Sequence, residues 1–119
     1  MITSKMNLNF YLRRVFGVNG RIEFITKRFP KKDNPDEKEK VILIVVNIPL
    51  IKNIEEVRQR IPLYDKKTLS KGRITLEESE NVPGIYYLTG IVKCTDANKL
   101  LKLTGRLVDR MMFTIFGSE

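Results

Sequence analysis

Apolar and polar positions alternate most clearly near the end of the chain. Residues 85–94 alternate as a strand does, and apolar residues then recur at three- and four-residue steps. We therefore predict a strand followed by a long amphipathic helix, with Asp96 as the N-cap of that helix. The apolar stripe of the helix comprises Leu100, Leu101, Leu103, Leu107, Val108, Met111, Met112 and Ile115.

The two sides of the predicted strand differ in character. The more apolar side is the nearest partner for the helix stripe, so we expect the other side to face solvent unless residues 1–40 cover it. The apolar side consists of Tyr86, Leu88, Gly90, Val92 and Cys94. The second side consists of Tyr87, Thr89, Ile91 and Lys93, and Thr95 continues it.

Upstream, the same patterns predict a helix and three more strands. Helical spacing favours a helix over residues 6–16, although the alternation in its first half also fits a strand. Residues 21–29 read as a strand with a basic end. Residues 41–48 are continuously apolar, which predicts a strand buried on both faces. Residues 72–78 form a strand with one wet face, joined through the turn at 81–84 to the strand at 85–94 as an antiparallel hairpin.

Two segments connect these strands. Residues 30–40, PKKDNPDEKEK, contain no apolar side chain to bury and are predicted to be a solvated charged loop, in which Lys31 and Lys32 are alternatively phosphate contacts on a mobile arm. A short helix begins after Asn53, with Glu56 completing a capping box. Pro62 is expected to end this helix, and residues 63–71 then form a basic connector.

The order is thus helix, strand, strand, short helix, strand, strand, long helix. Strands joined largely by hairpins indicate an α+β fold, an antiparallel sheet with helices packed on one face. The length of 119 residues suits a single domain over residues 1–119.

Composition narrows the chemistry. The 22 Lys and Arg residues exceed the 14 Asp and Glu residues and give a net charge of +8, so polyanions are the first partners to consider. The absence of histidine removes imidazole acid–base catalysis and histidine metal ligands, and one cysteine cannot form an intramolecular disulfide or a cysteine zinc site. No glycine-rich phosphate loop is present, and we expect no cofactor and no enzymatic activity.

We also expect an intracellular protein, cytoplasmic or nucleoid-associated. The most apolar run, residues 41–51, is shorter than the roughly 20 residues that a bilayer requires, and the first residues lack the pattern of a secretion signal. No membrane partner is therefore expected.

Two charged groups carry alternative readings. Glu77, Glu78 and Glu80, with Asp65 or Asp96, supply the oxygen ligands that a metal-dependent nuclease needs, but a charged strand end beside a turn is common. The long helix presents a basic stripe opposite its leucines, which either follows a phosphate backbone, docks an acidic partner, or is an ordinary solvated face. The stripe comprises Lys99, Lys102, Arg106 and Arg110.

Residues 90–97, GIVKCTDA, precede this basic helix. They resemble the strand-turn-helix of one repeat of the TATA-box-binding protein family, where a segment of the type GKxVCTGA occupies this place. Tyr87 lies where that family has a phenylalanine that wedges into DNA. Residues 45–61 are similar to the family's first strand and helix, and residues 64–76 to its YNPxxF segment and next strand, with Leu69 in place of the aromatic. The shared residues of the motif are Gly90, Cys94, Thr95 and Ala97.

The resemblance covers about two-thirds of the chain and implies one repeat only. Two repeats form a saddle in the family, so a saddle built from this chain requires a homodimer. Residues 1–40 have no counterpart. Ile91 stands where the family usually has lysine, Lys93 where it usually has an apolar residue, and Glu77 directs a negative charge toward DNA bound on this face.

We therefore predict a small, basic, non-enzymatic protein that binds nucleic acid, most readily duplex DNA, through the open sheet face as a homodimer. The alternative is a protein-interaction module or inhibitor, which docks an acidic partner or a second copy by this face or by residues 111–113. A metal-dependent nuclease is the third hypothesis. The predicted nucleic-acid-binding residues are Tyr87, Thr89, Ile91, Lys93, Thr95, Arg73 and Lys71.

Overall fold

A computed structural model describes residues 4–68 and 72–117, with only the backbone described at residues 4–7 and 62–68. The elements follow the predicted order, and the α+β class is confirmed. A 3-10 turn, Ala97–Lys99, precedes the last helix. The elements are α1 (Ser4–Phe16), β1 (Arg21–Pro30), β2 (Lys38–Leu50), α2 (Ile54–Thr68), β3 (Gly72–Glu78), β4 (Tyr86–Cys94) and α3 (Leu100–Phe116).

The four strands form one antiparallel sheet in the order β1-β2-β4-β3. β1 and β2 form one hairpin, and β3 and β4 form the other, as the turn at residues 81–84 predicts. α2 connects β2 to β3 on the far side of β4, so β4 lies between them. β1 and β3 are consequently the two edges of the sheet.

All three helices pack on one face of this sheet. Ile44, Leu88 and Val92 project from that face and are buried with Leu107 and Met111 of α3. Gly90 lets α3 approach β4 closely, because a Cβ atom there would lie 2.6 Å from Leu107 Cδ1 and 2.7 Å from Met111 Sδ. The apolar side of β4 is therefore the partner of the α3 stripe, as the sequence predicts.

Residues 1–40 do not cover the other face in the part of the chain that the structure describes. α1 lies beside α3, where Tyr11 packs on Gly105 and the Arg14 guanidinium pairs with the Asp109 carboxylate. Val15 of α1 is fully buried in the core. β1 extends the sheet at its edge and does not lie across it.

Side-chain hydrogen bonds fix both ends of the last helical segment. The Asp96 carboxylate accepts the Asn98 N–H at 3.0 Å and caps the 3-10 turn, whereas the N-cap of α3 itself is Lys99, so Asp96 does not cap the long helix directly as predicted. At the other end, Arg60 of α2 donates to the carbonyl oxygens of Thr114 and Ile115, each at 3.1 Å. These carbonyls lack partners within the helix, so Arg60 satisfies them.

Three predictions about the middle of the chain were wrong. α2 continues through Pro62 to Thr68, so residues 63–68 are helical and not a connector. Leu43 and Val45 are only half-buried, so β2 is not buried on two faces along its length, although Val41 on the same side is buried. The strands also extend into the charged segment, since β1 ends at Pro30 and β2 begins at Lys38, although residues 30–40 are solvent-exposed as expected.

Candidate nucleic-acid interface

The face of the sheet opposite the helices is uncovered in the described structure, and we call it the open face. Residues paired directly across antiparallel strands project on the same side, so the register defines its members. Its central row runs Glu23, Val45, Ile91 and Arg73 from β1 to β3. The neighbouring rows are Arg21, Asn47, Thr89 and Thr75 on one side, and Ile25, Leu43 and Lys93 on the other.

The centre of the open face is aliphatic and flat. Leu43, Val45 and Ile91 are half-buried there, and Ile25 of the edge strand is 37% exposed. These side chains are shielded only by their neighbours on the sheet. A contiguous apolar surface of this kind is typical of an interaction site.

One polar pair lies within this apolar surface. The Asn47 side-chain amide donates to Thr89 Oγ1 at 2.9 Å across β2 and β4. The amide retains a second N–H, and the Thr89 hydroxyl retains its own proton for donation to a ligand. Asn47 is absent from the predicted site, although it is the one polar residue within the apolar run at residues 41–51, and that interruption was the available signal.

Aromatic side chains stand at both ends of the open face. Tyr87 is 38% exposed and lies opposite Pro49 on β2 and Glu77 on β3. At the other end, the Lys93 ammonium lies 5.2 Å from the centre of the Phe29 ring. Phe29 is a member of the open face that sequence reasoning missed.

Five of the predicted site residues lie in strands of the open face. Tyr87, Thr89, Ile91 and Lys93 lie along β4, and Arg73 is paired with Ile91. Thr95 is exposed and, with Lys93, Phe29 and the hairpin residues Lys31 and Lys32, lines a depression of about 950 Å³. Lys71 lies outside the described residues.

The charges of the open face are mixed. Four cations, Arg21, Lys27, Arg73 and Lys93, surround the apolar centre, and each is exposed. Glu23, Glu39 and Glu77 bring negative charge to the same face. The excess of positive over negative charge on the open face is therefore modest. Attraction of a polyanion depends on where the cations contact it.

The basic stripe of α3 lies on the opposite side of the molecule. Lys99, Lys102 and Arg106 are exposed on the outer surface of the helix layer, and Arg110 is half-buried beside them. The stripe borders a cleft of about 570 Å³ between α1 and α3, lined by Arg14, Arg106, Asp109, Arg110, Met112, Phe113 and Phe116. The sheet separates this stripe from the open face, so the two surfaces do not form one site.

The three glutamates of the nuclease hypothesis are not brought together. Glu77 and Glu78 are consecutive in β3 and project to opposite faces of the sheet. Glu78 accepts the Gly84 N–H at 3.3 Å within the hairpin turn, and Asp96 caps the turn before α3. Among the residues whose side chains the structure describes, 8–61 and 72–117, no group of three or more acidic or cysteine side chains is arranged to hold a metal ion. The side chain of Asp65 lies outside these residues.

Cys94 is buried on the helix side, and its thiol donates to the Asp96 carbonyl oxygen at 3.1 Å.

Over the described ranges, no helix is long and apolar enough to cross a bilayer. Comparison with protein-family models, with curated proteins and with solved structures gave no significant match to this chain.

Proposed function

We propose that this protein binds duplex DNA through the open face of its sheet, as a homodimer and without catalysing a reaction. The observation that carries the proposal is the composition of that uncovered face. A flat aliphatic centre contains hydrogen-bonding groups, has an aromatic ring at each end and has cations at its margin. Proteins that bind the minor groove combine apolar side chains, amides and cations in this way.

Each group has a role in such a complex. Ile91 and Val45 contact the sugars and the floor of a widened minor groove, while Asn47 and Thr89 donate to the acceptor atoms that every base pair presents there. Tyr87, which is exposed, enters between base steps at the end of the contact. Lys93 and Arg73 neutralise phosphates on either side.

This arrangement favours recognition of DNA shape over base sequence. The minor groove presents A·T and T·A pairs alike, so Asn47 and Thr89 distinguish mainly A·T from G·C pairs. The apolar centre requires a groove opened wider than in B-form DNA, which makes flexible steps the preferred sites.

Salt dependence tests the electrostatic part of the proposal. For labelled duplex DNA, fluorescence anisotropy at several salt concentrations should give a steep fall in affinity as salt rises, because binding releases condensed counterions. Lys93→Ala should reduce the slope of log affinity against log salt by about one, because one phosphate contact is lost.

Lys102→Ala is the matched control for Lys93→Ala. Each variant removes one exposed lysine and the same charge, but Lys102 lies on the helix layer and Lys93 on the open face. Lys102→Ala should leave the slope unchanged. A slope that falls for Lys102→Ala and not for Lys93→Ala would place the DNA on the helix layer and overturn the proposal.

A second candidate function rests on the cleft between α1 and α3. Arg14, Arg106 and Arg110 border it against a single carboxylate, Asp109, and Phe116 at its margin is 61% exposed. Basic side chains around an apolar floor suit an acidic protein segment with apolar anchors. Light scattering with and without duplex DNA discriminates the two functions, since a particle mass that DNA leaves unchanged supports the second.

A further inference from the structure

The outer edge of β1 is unusually exposed for an edge strand. Among the described strands only β2 pairs with β1, so the backbone N–H and C=O groups of its other edge have no strand partner. The strand is ten residues long, and Phe24 and Ile25 are 39% and 37% exposed. An open edge pairs readily with another strand unless like charges oppose it, and β1 carries charges of both signs, among them Glu23 and Lys27.

We propose that β1 pairs in antiparallel fashion with β1 of a second copy of this chain, with Ile25 opposite the partner's Ile25. This register uses the strand from Arg21 to Phe29. Pro30 ends the ladder because proline has no backbone N–H to donate. The pairing is isologous, so every contact away from the two-fold axis is made twice.

Charge complementarity selects this register. On the open face, Glu23 falls opposite the partner's Lys27, which gives two ion pairs on either side of the central isoleucines. Arg21 falls opposite the partner's Phe29 and can stack on its ring. In the described structure neither Glu23 nor Lys27 has an ion-pair partner within its own chain, so both charges are available.

Neighbouring registers lose this complementarity. Side chains of a strand alternate between the two faces of the sheet, so some register shifts would turn the partner's open face to the opposite side. Only the shifts that keep both open faces on the same side are compared. A register centred on Phe24 places Arg21 opposite the partner's Lys27, where the like charges repel. A register centred on Thr26 places Glu23 opposite the partner's Phe29 and leaves the glutamate without a cation.

The other edge of the sheet offers a weaker interface. β3 is seven residues long, and pairing it with β3 of a second copy in a register centred on Thr75 would bring Arg73 opposite the partner's Glu77. No large apolar side chain of β3 is among those that the described structure exposes, whereas β1 exposes Phe24 and Ile25. Pairing of β1 therefore covers apolar surface in addition to joining charges.

Pairing through β1 joins two four-stranded sheets into one of eight strands. The two-fold axis lies perpendicular to the sheet, so both open faces lie on the same side and form one continuous surface. The pairing supplies the homodimer of the proposed function, and its relevance to DNA rests on that function. The contact itself needs no DNA, so the two proposals can fail separately.

Charge reversal tests the register directly. Sedimentation equilibrium without DNA, over roughly 10 to 500 µM protein, suits a small interface of the weak class. Glu23→Lys and Lys27→Glu, tested singly, should each raise the dimer dissociation constant at least about tenfold, since each turns two attractive pairs into two repulsive ones. The double variant Glu23→Lys/Lys27→Glu should restore dimerisation.

An equimolar mixture of the two single variants adds a stricter test. The Glu23→Lys chain has a positive charge at both positions 23 and 27, and the Lys27→Glu chain has a negative charge at both. Both cross-strand pairs between the two chains are then attractive, so a heterodimer should form although neither variant dimerises alone. Arg73→Glu is the control at the β3 edge and should leave the dissociation constant unchanged. Circular dichroism of each variant verifies folding.

Three results would overturn the pairing: a monomeric wild type over this range, single variants that dimerise normally, or a dimer lost only in Arg73→Glu. A monomer that still binds duplex DNA would overturn the pairing and leave the proposed function standing. A dimer that depends on β1 but binds no duplex DNA would overturn the proposed function and leave the pairing standing.

Discussion

At the scale of the residue, the close contact at Gly20 fixes α1 to the sheet. A Cβ atom at this buried position would lie 2.7 Å from Val15 Cγ1, 2.8 Å from Ile48 Cγ1 and 2.9 Å from the Asn47 carbonyl oxygen. Two of these neighbours are stiff β-branched side chains and one is backbone, so none moves away easily. The site therefore requires glycine for space and not for a positive φ.

Gly20→Ala should consequently destabilise the protein by about 1–3 kcal/mol, the usual cost of overpacking a core. Urea denaturation followed by circular dichroism measures this as a lower midpoint at an unchanged m-value. Gly84→Ala is a useful comparison, because nothing lies within 4 Å of its Cβ position and its cost comes from φ of 88° alone. A Gly20→Ala variant as stable as the wild type would show that α1 packs differently.

The sequence predicts site residues that share one strand but not those that strand pairing brings together. Tyr87, Thr89, Ile91 and Lys93 could be predicted because they alternate along one strand. Asn47 could not be assigned to the same site, because its contact with Thr89 depends on the β2–β4 register between residues 42 positions apart. Phe29 was missed for the same reason, as its proximity to Lys93 arises only when β1 and β4 flank β2.

At the scale of the element, Arg60 joins two helices. Its guanidinium donates to two carbonyls at the C-terminal end of α3, and its side chain is 25% exposed. A cation at that end also interacts favourably with the helix dipole. Arg60→Ala should therefore cost about 1–3 kcal/mol of folding free energy, since it leaves two carbonyl groups without their donor.

Arg58→Ala is the control for this effect. Arg58 lies on the same helix but is 49% exposed and pairs with Glu55 at 3.6 Å, a surface ion pair of little expected value. Its loss should change stability by less than about 0.5 kcal/mol. Equal effects of the two substitutions in thermal unfolding would contradict the docking role of Arg60.

Secondary structure could be predicted where one periodicity dominated and not where local signals misled. β4 and α3 each carry an unbroken pattern, so their predictions hold. Pro62 was wrongly expected to end α2, because the loss of one backbone donor does not stop this helix from continuing to Thr68. β2 appeared buried on both faces because its open face is also aliphatic, and a sequence does not state which apolar face remains uncovered.

At the scale of the whole molecule, the position of the helices determines which surfaces a ligand reaches. All three lie on one side, which leaves the aliphatic open face uncovered and directs the basic stripe of α3 away from it. The sequence predicted both surfaces but left open whether residues 1–40 cover the open face, because that depends on where α1 packs. Val15 and Tyr11 place α1 beside α3, so the described residues 4–40 leave the open face free.

This separation predicts where bound DNA perturbs the protein. Addition of a short A·T-rich duplex should shift backbone amide resonances of residues 43–47 and 87–93, the segments of β2 and β4 whose alternate side chains form the open face. Residues 99–110 of the helix layer should change little, because the sheet lies between them and the DNA. A two-dimensional ¹⁵N–¹H titration of the labelled protein records both groups in one experiment.

That titration is the most direct test of DNA binding at the open face. Such binding should give the largest changes at Asn47, Thr89, Ile91 and Lys93, together with line broadening as the DNA complex forms. Changes confined to the α1–α3 cleft around Arg14, Arg106 and Phe116, or no change at any amide at saturating duplex concentration, would contradict it.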